Sequence, residues 1–153
     1  MLAIGERAPE FTLPDAEGRS VSLSTLLGRG PLVLYFYPAD FTSVCTREAC
    51  QMRDLHPQIE AAGLTLAGIS PQGPDSHARF SEKHRLTFPL LCDLDRTVIR
   101  MYDVLGPLGL GVRRATYLID PTRRIEDAVL ADLRLERHQD FVNRAIALSA
   151  RGR

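Results

Sequence analysis

Tryptophan is absent from this chain of 153 residues, lysine occurs once, as Lys83, and asparagine once, as Asn143. That skew reads as composition bias toward arginine rather than as mechanism. An excess of either charge is also missing, because Lys+Arg and Asp+Glu are each 19 and cancel. A nucleic-acid binder ordinarily carries a basic excess or stripe, so that class is not expected. The longest strongly apolar run, Leu32 to Tyr37, is far short of the roughly 20 residues of a membrane span. Residues 1–14 hold Glu6, Arg7, Pro9 and Glu10 where a secretory signal needs an unbroken apolar core. The expected compartment is therefore the cytoplasm, with no membrane partner.

Cysteine is scarce too: Cys45, Cys50 and Cys92 are an odd number and too few for a disulfide scaffold. In a reducing compartment such thiols are catalytic, metal-binding or simply buried. The spacings C-x-x-C and H-x-x-x-H do not occur, which argues against a metal site. Nor does G-x-x-x-x-G-K, and the glycine-rich stretch from Gly106 to Gly111 lacks a strand–loop–helix phosphate fingerprint. No cofactor is expected. What remains is an ordinary globular composition, 44% hydrophobic and 25% charged, so the length fits one domain over residues 1–153.

Within that domain, Phe11–Leu13 and Val21–Leu23 flank a turn at residues 15–18 and predict an N-terminal hairpin. The run Pro31–Tyr37, apolar throughout, predicts a central strand covered on both faces. Apolar residues at Val44, Met52, Leu55, Ile59 and Ala62 predict a helix that stops at Gly63. Strands are predicted at 64–70, 89–92, 115–119 and about 125–131. Shorter helices are predicted from Asp75 or Ser76 to His84 and over 96–102, and a last one over roughly Gln139–Ala147. Strands alternating with helices, then a closing hairpin and helix, give an α/β fold with a central mixed sheet flanked by helices. In such sheets, sites form beyond the carboxyl ends of strands, where a helix begins. Residues 38–45 occupy that place.

Cys45 falls in the first turn of the long helix, where unpaired N–H groups and the helix dipole favour a thiolate. The alternative is an inert thiol on the core face. The spacing Pro38-x-x-x-Thr42-x-x-Cys45 resembles the active-site motif of the peroxiredoxins. The run Cys45-Thr46-Arg47-Glu48-Ala49-Cys50 resembles the bacterioferritin comigratory protein, or peroxiredoxin Q, subgroup. So do Gly68–Pro71, Ser76–Phe80 and Phe88–Leu91, and Arg114–Asp120 resembles a later family signature. One departure is Ser43, where the pattern leads us to expect proline. Another is that Pro121-Thr122-Arg123 turns without a glycine.

The resemblance implies a thioredoxin-like fold and a thiol peroxidase acting on hydrogen peroxide and organic hydroperoxides without metal or flavin. It implies that Cys45 becomes a sulfenic acid, and that Thr42, Arg114 and nearby backbone N–H groups stabilise the leaving oxygen. Pro38 would shield the thiolate, and Glu48 would orient the arginine. Each residue also has a plainer reading. Thr42 could be an N-cap, Pro38 a strand end, Glu48 a first-turn acid, and Arg114 a surface charge adding little to stability, with Arg113 its rival.

Cys50, by the same resemblance, would resolve the sulfenic acid as an intrachain disulfide recycled by thioredoxin or a similar thiol reductant, in a monomer or weak homodimer. Five residues of ideal helix separate two Cα atoms by about 8.7 Å. A disulfide spans only about 4.4–6.8 Å, so this bond requires the helix start to unwind. Some subgroup members place the resolving cysteine where Ser81 stands here, and Cys92 is expected to be a buried structural thiol. Two other readings are a thiol–disulfide oxidoreductase, opposed by the missing C-x-x-C, and a non-catalytic redox sensor or holdase-type protein.

Overall fold

The computed structural model describes residues 1–151, so Gly152 and Arg153, the last two of the expected domain, lie outside the described residues. A two-stranded antiparallel hairpin, β1 (Thr12–Pro14) and β2 (Ser20–Ser22), leads directly into a short helix, α1 (Leu23–Leu27). Then come β3 (Leu32–Phe36), α2 (Ser43–Ala61), β4 (Thr65–Ser70), α3 (Pro74–His84), β5 (Leu90–Cys92) and α4 (Thr97–Met101). A single 3-10 turn, Pro107–Gly109, precedes β6 (Ala115–Ile119), β7 (Ile125–Leu130) and α5 (Leu135–Ala150). The main sheet runs in the order β5-β4-β3-β6-β7. Its first three strands are parallel and its last two pair antiparallel, which makes it the expected mixed sheet.

β3 lies at the middle of that sheet because every one of its residues is apolar and buried. Leu32, Leu34 and Phe36 enter one core, with α1, α4, Tyr102 and Tyr117. Val33, Tyr35 and Tyr37 enter the other, with α2, Phe80 of α3 and α5. The pleat sends alternate side chains to opposite faces, so an apolar run becomes two cores. Gly30 is required where the chain enters this strand. It has φ 134°, and a Cβ there would stand 2.2 Å from the carbonyl oxygen of Gly63.

Two expectations are corrected. Leu23 does not end a strand. It starts α1, because Ser22 adopts an extended N-cap conformation and its hydroxyl accepts from Thr25 N at 3.1 Å. The last helix is longer than Gln139–Ala147 and begins at Leu135. Its buried face is Leu135, His138, Phe141, Val142 and Ala145, so a histidine continues the apolar stripe by nearly one turn. The turn after Asp120 solves its missing glycine by placing Arg123 at φ 72°. Arg123 is held there by a bond from its N–H to the Asp120 carbonyl (2.9 Å) and by guanidinium bonds to the Ala8 carbonyl.

Candidate active site

The chain leaves β3 through Tyr37 and Pro38, turns sharply at Phe41 (φ 65°), and enters α2 with Thr42 as its N-cap. The first helical bond runs from Thr46 N to the Thr42 carbonyl at 2.8 Å. The N–H groups of Ser43, Val44 and Cys45 therefore have no partner within the helix, which is the expected electropositive end. The Thr42 hydroxyl does not cap these groups; it donates to the Ala39 carbonyl at 3.3 Å.

Cys45 is 2% exposed and Arg114 is 4% exposed, which rules out the plainer reading of Arg114 as a surface charge. Arg114 leads β6 and reaches across to α2. Its Nη2 donates to Cys45 Sγ at 3.2 Å and its Nη1 to Glu48 Oε1 at 2.6 Å. Two further bonds fix it: Nε donates to the Asp132 carbonyl, and its backbone N–H to Asp132 Oδ1, each at 3.0 Å. Arg113 instead pairs with Asp132 Oδ2 at 2.8 Å on the half-exposed side. The structure thus brings Arg114, not its neighbour, to the sulfur. Glu48 is completely buried, so it is not a plain first-turn acid.

Burial pushes the Glu48 carboxyl up to about 7, against the pull of the Arg114 charge and hydrogen bond. Burial works against the Arg114 charge, but Glu48 and Cys45 outweigh it and keep the guanidinium firmly protonated. One guanidinium therefore serves two buried acidic side chains, Cys45 and Glu48. The second Glu48 oxygen accepts no hydrogen bond and lies 3.8 Å from His138 Nδ1. His138 Nε2 faces the Ala131 carbonyl at 2.9 Å, so it carries the proton, and Nδ1 accepts from the Thr116 hydroxyl at 2.8 Å. Burial lowers the His138 pKa and keeps the ring neutral.

The motif reading missed Thr116, Asp132 and His138. His138 alone left a signal, standing three residues after Leu135 and three before Phe141 on one helix face. Above the thiol is a cavity of about 440 Å³ lined by Pro38, Thr42, Val44, Cys45, Val112, Arg114, Asp132 and Leu133, among others. Five of the expected residues, Pro38, Thr42, Cys45, Glu48 and Arg114, thus converge. Glu48 sits behind the arginine rather than on the cavity.

A second buried network anchors the loop before α2. Asp40 accepts from the Tyr37 hydroxyl, from Ser76 and from His77 Nδ1, each at 2.7 Å, and His77 Nε2 donates to the Leu91 carbonyl at 3.0 Å. Burial raises the Asp40 carboxyl, but His77, Tyr37 and Ser76 outweigh it and hold it below its ordinary value.

Cys50 is half-buried on α2, with its sulfur 4.0 Å from His84 Nδ1 at the end of α3. It is not bonded to Cys45, and both lie within one unbroken helix. Cys92 is buried at the end of β5, where its thiol donates to the Asp15 carbonyl at 3.8 Å. Burial, with the charges of Asp40 and Asp15, pushes that thiol up to about 11. The structure thus places Cys92 in the core, as expected.

The AhpC/TSA family profile matches residues 4–128. Peroxiredoxin Bcp of Escherichia coli K12 is 38% identical over 147 residues, which cover 92% of this chain and 93% of that one. The crystal structure of peroxidoxin BcpB from Mycobacterium tuberculosis superposes with a TM-score of 0.90 at 35% identity, covering 100% of this chain and 99% of that one. A structure of the Xanthomonas campestris bacterioferritin comigratory protein, from work on its alkyl peroxide reduction, gives 0.82 at 32% identity over 92% of each chain. With a first-turn cysteine under a buried arginine on this mixed sheet, the chain belongs to the AhpC/TSA family, among the bacterioferritin comigratory peroxiredoxins.

Proposed function

We propose that the chain reduces hydrogen peroxide and organic hydroperoxides through Cys45, with Cys50 as resolving thiol and a thioredoxin-class dithiol as reductant. The observation that carries this reading is the Arg114 guanidinium, held by its bonds to the Asp132 carbonyl and to Glu48 and aimed at Cys45 Sγ. A non-catalytic sensor needs no such preorganised cation.

The Cys45 thiolate attacks one oxygen of the hydroperoxide. An S–O bond forms, the O–O bond breaks, and the second oxygen leaves with the electron pair and takes up a proton as water or alcohol. Negative charge grows on that oxygen, so donors already in place lower the barrier. Arg114 supplies a permanent charge in a planar fork, and the N–H groups at the start of α2 supply the helix-end field. The Thr42 hydroxyl, on the cavity wall, needs only to turn from the Ala39 carbonyl to reach a bound peroxide. Pro38, Val44, Val112 and Leu133 give the cavity apolar walls. These suit the organic part of a hydroperoxide, and the Xanthomonas campestris relative is described as reducing alkyl peroxides.

The sulfenic acid then meets Cys50. With α2 intact, the two Cα atoms are about 8.7 Å apart, so the first turns must open before the bond closes. Opening the end of a helix costs far less than global unfolding, and it exposes the disulfide to an attacking thiolate.

The test is peroxide consumption coupled to thioredoxin, thioredoxin reductase and NADPH. Turnover is expected from the wild type and none from Cys45→Ser, whose circular dichroism should be unchanged. Substantial turnover by that variant would refute the assignment.

A further inference from the structure

The resolving step needs a base. A thiol at neutral pH is mostly protonated, and only the thiolate attacks a sulfenic sulfur efficiently. Arg114 and the helix start serve Cys45, but neither reaches Cys50. The group beside Cys50 is an imidazole: His84 Nδ1 lies 4.0 Å from its sulfur, at the outer limit of an S–H···N contact. Resting on the reading of Cys50 as the resolving thiol, we propose that His84 is the catalytic base of the second half-reaction.

The His84 ring is positioned for this by packing and by the backbone. Its edge meets Phe80, with ring centroids 5.1 Å apart. Arg53, three residues past Cys50 along α2, donates to the His84 carbonyl at 2.7 Å. That bond ties the end of α3 to the part of α2 that carries Cys50. When the first turns of α2 open, this clamp lies on the far side of Cys50 and keeps the thiol beside its base. Cys45, on the stretch that opens, is then the partner that travels.

The chemistry balances without a further reagent. His84 Nδ1 takes the proton from Cys50. The thiolate attacks Cys45 Sγ; the S–S bond forms, the S–O bond breaks, and the departing hydroxide takes the proton back from the imidazolium as water. Cys50 is oxidised as the sulfenic sulfur is reduced, and the imidazole is regenerated. His84 is only part-buried, so the ring can exchange protons with solvent between turnovers.

The experiment mixes reduced protein with a small excess of hydrogen peroxide, quenches at intervals with a thiol-blocking reagent, and counts sulfenic acid and disulfide by peptide mass. Mass is the appropriate readout because the chain has no tryptophan. Wild type is expected to form the Cys45–Cys50 bond with little standing sulfenic acid. His84→Ala should form it roughly a hundredfold more slowly, the low end for a positioned base, and accumulate sulfenic acid. His84→Phe, which keeps an aromatic ring against Phe80 but offers no nitrogen, should be equally slow. Added imidazole should speed His84→Ala, which a packing role would not allow. Disulfide formation at the wild-type rate in His84→Ala, or recovery in His84→Phe, overturns the role of His84. A wild-type chain that forms no Cys45–Cys50 bond overturns instead the reading of Cys50 on which it rests.

Discussion

Glu48 is a carboxyl with no exposure, one oxygen on a guanidinium and the other without a donor. Arg114, Cys45, His138 and the buried Tyr35 hydroxyl are the titratable groups that face it or feel its charge. Its carboxyl, pushed by burial from the ordinary 4.5 up to about 7, holds its proton more tightly folded than unfolded. The stability this confers is complete below about 4.5 and is lost as pH rises through about 7. Glu48→Gln has no proton to lose. Its stability relative to wild type should therefore rise between pH 5 and pH 8, by at most about 3 kcal/mol. Urea unfolding at several pH values would show this, and parallel curves for the two proteins would contradict it. Arg114→Ala should have a double effect. Peroxide oxidation of Cys45, followed by rapid mixing, should slow by roughly a hundredfold or more, as on removing a donor to a developing oxyanion. The fold should also lose about 3 kcal/mol, because a buried pair is broken. An unchanged oxidation rate would send the role elsewhere.

At the scale of the element, the question is which part of α2 moves. The helix is fixed at one end by the Asp40 network, which ties the preceding loop to α3, and further along by Arg53 on the His84 carbonyl. Between these anchors lie Cys45 and Cys50, and a bond between them must be made by unwinding this stretch. Amide protection in the reduced protein should begin at Thr46, the first N–H with a helical acceptor, and continue through Met52. The oxidised protein should lose much of that protection, while β3 and β4 keep theirs. Hydrogen exchange on the two forms measures it directly. Undiminished protection from Thr46 to Met52 in a disulfide-bonded sample would contradict the unwinding.

Over the whole molecule, one strand divides two cores, and the hairpin closes the edge of the sheet beside β5. Cys92 joins these parts: its thiol meets the Asp15 carbonyl, and Asp15 bridges to Leu91. Cys92→Ala should cost about 1 kcal/mol of stability, the typical price of a small core truncation, and leave thioredoxin-coupled turnover intact. Loss of turnover in a folded Cys92→Ala protein would give this thiol a redox role after all.

Much of this was legible beforehand because it is local. An apolar run marks β3, helical periodicity marks α2, and the Pro38–Thr42–Cys45 spacing sets a thiol in a first helical turn. The start of α1 was not, since Leu23 continues an apparent strand and only the Ser22 cap redirects it. The choice between Arg113 and Arg114 was not either, because adjacent residues on an extended chain point to opposite faces. Which of them enters the core depends on the β6 register against β3, where Ala115 pairs with Phe36. The start of α5 was hidden because His138 is polar in sequence and buried in space. The chain by itself determined which sulfur sits at a helix end, since that follows from neighbours within a few residues. Folding decided which cation reaches it and how far the Glu48 carboxyl is raised, and it brought an imidazole to Cys50. Those depend on partners 34 to 69 residues apart and on the exclusion of water, neither of which a local pattern encodes.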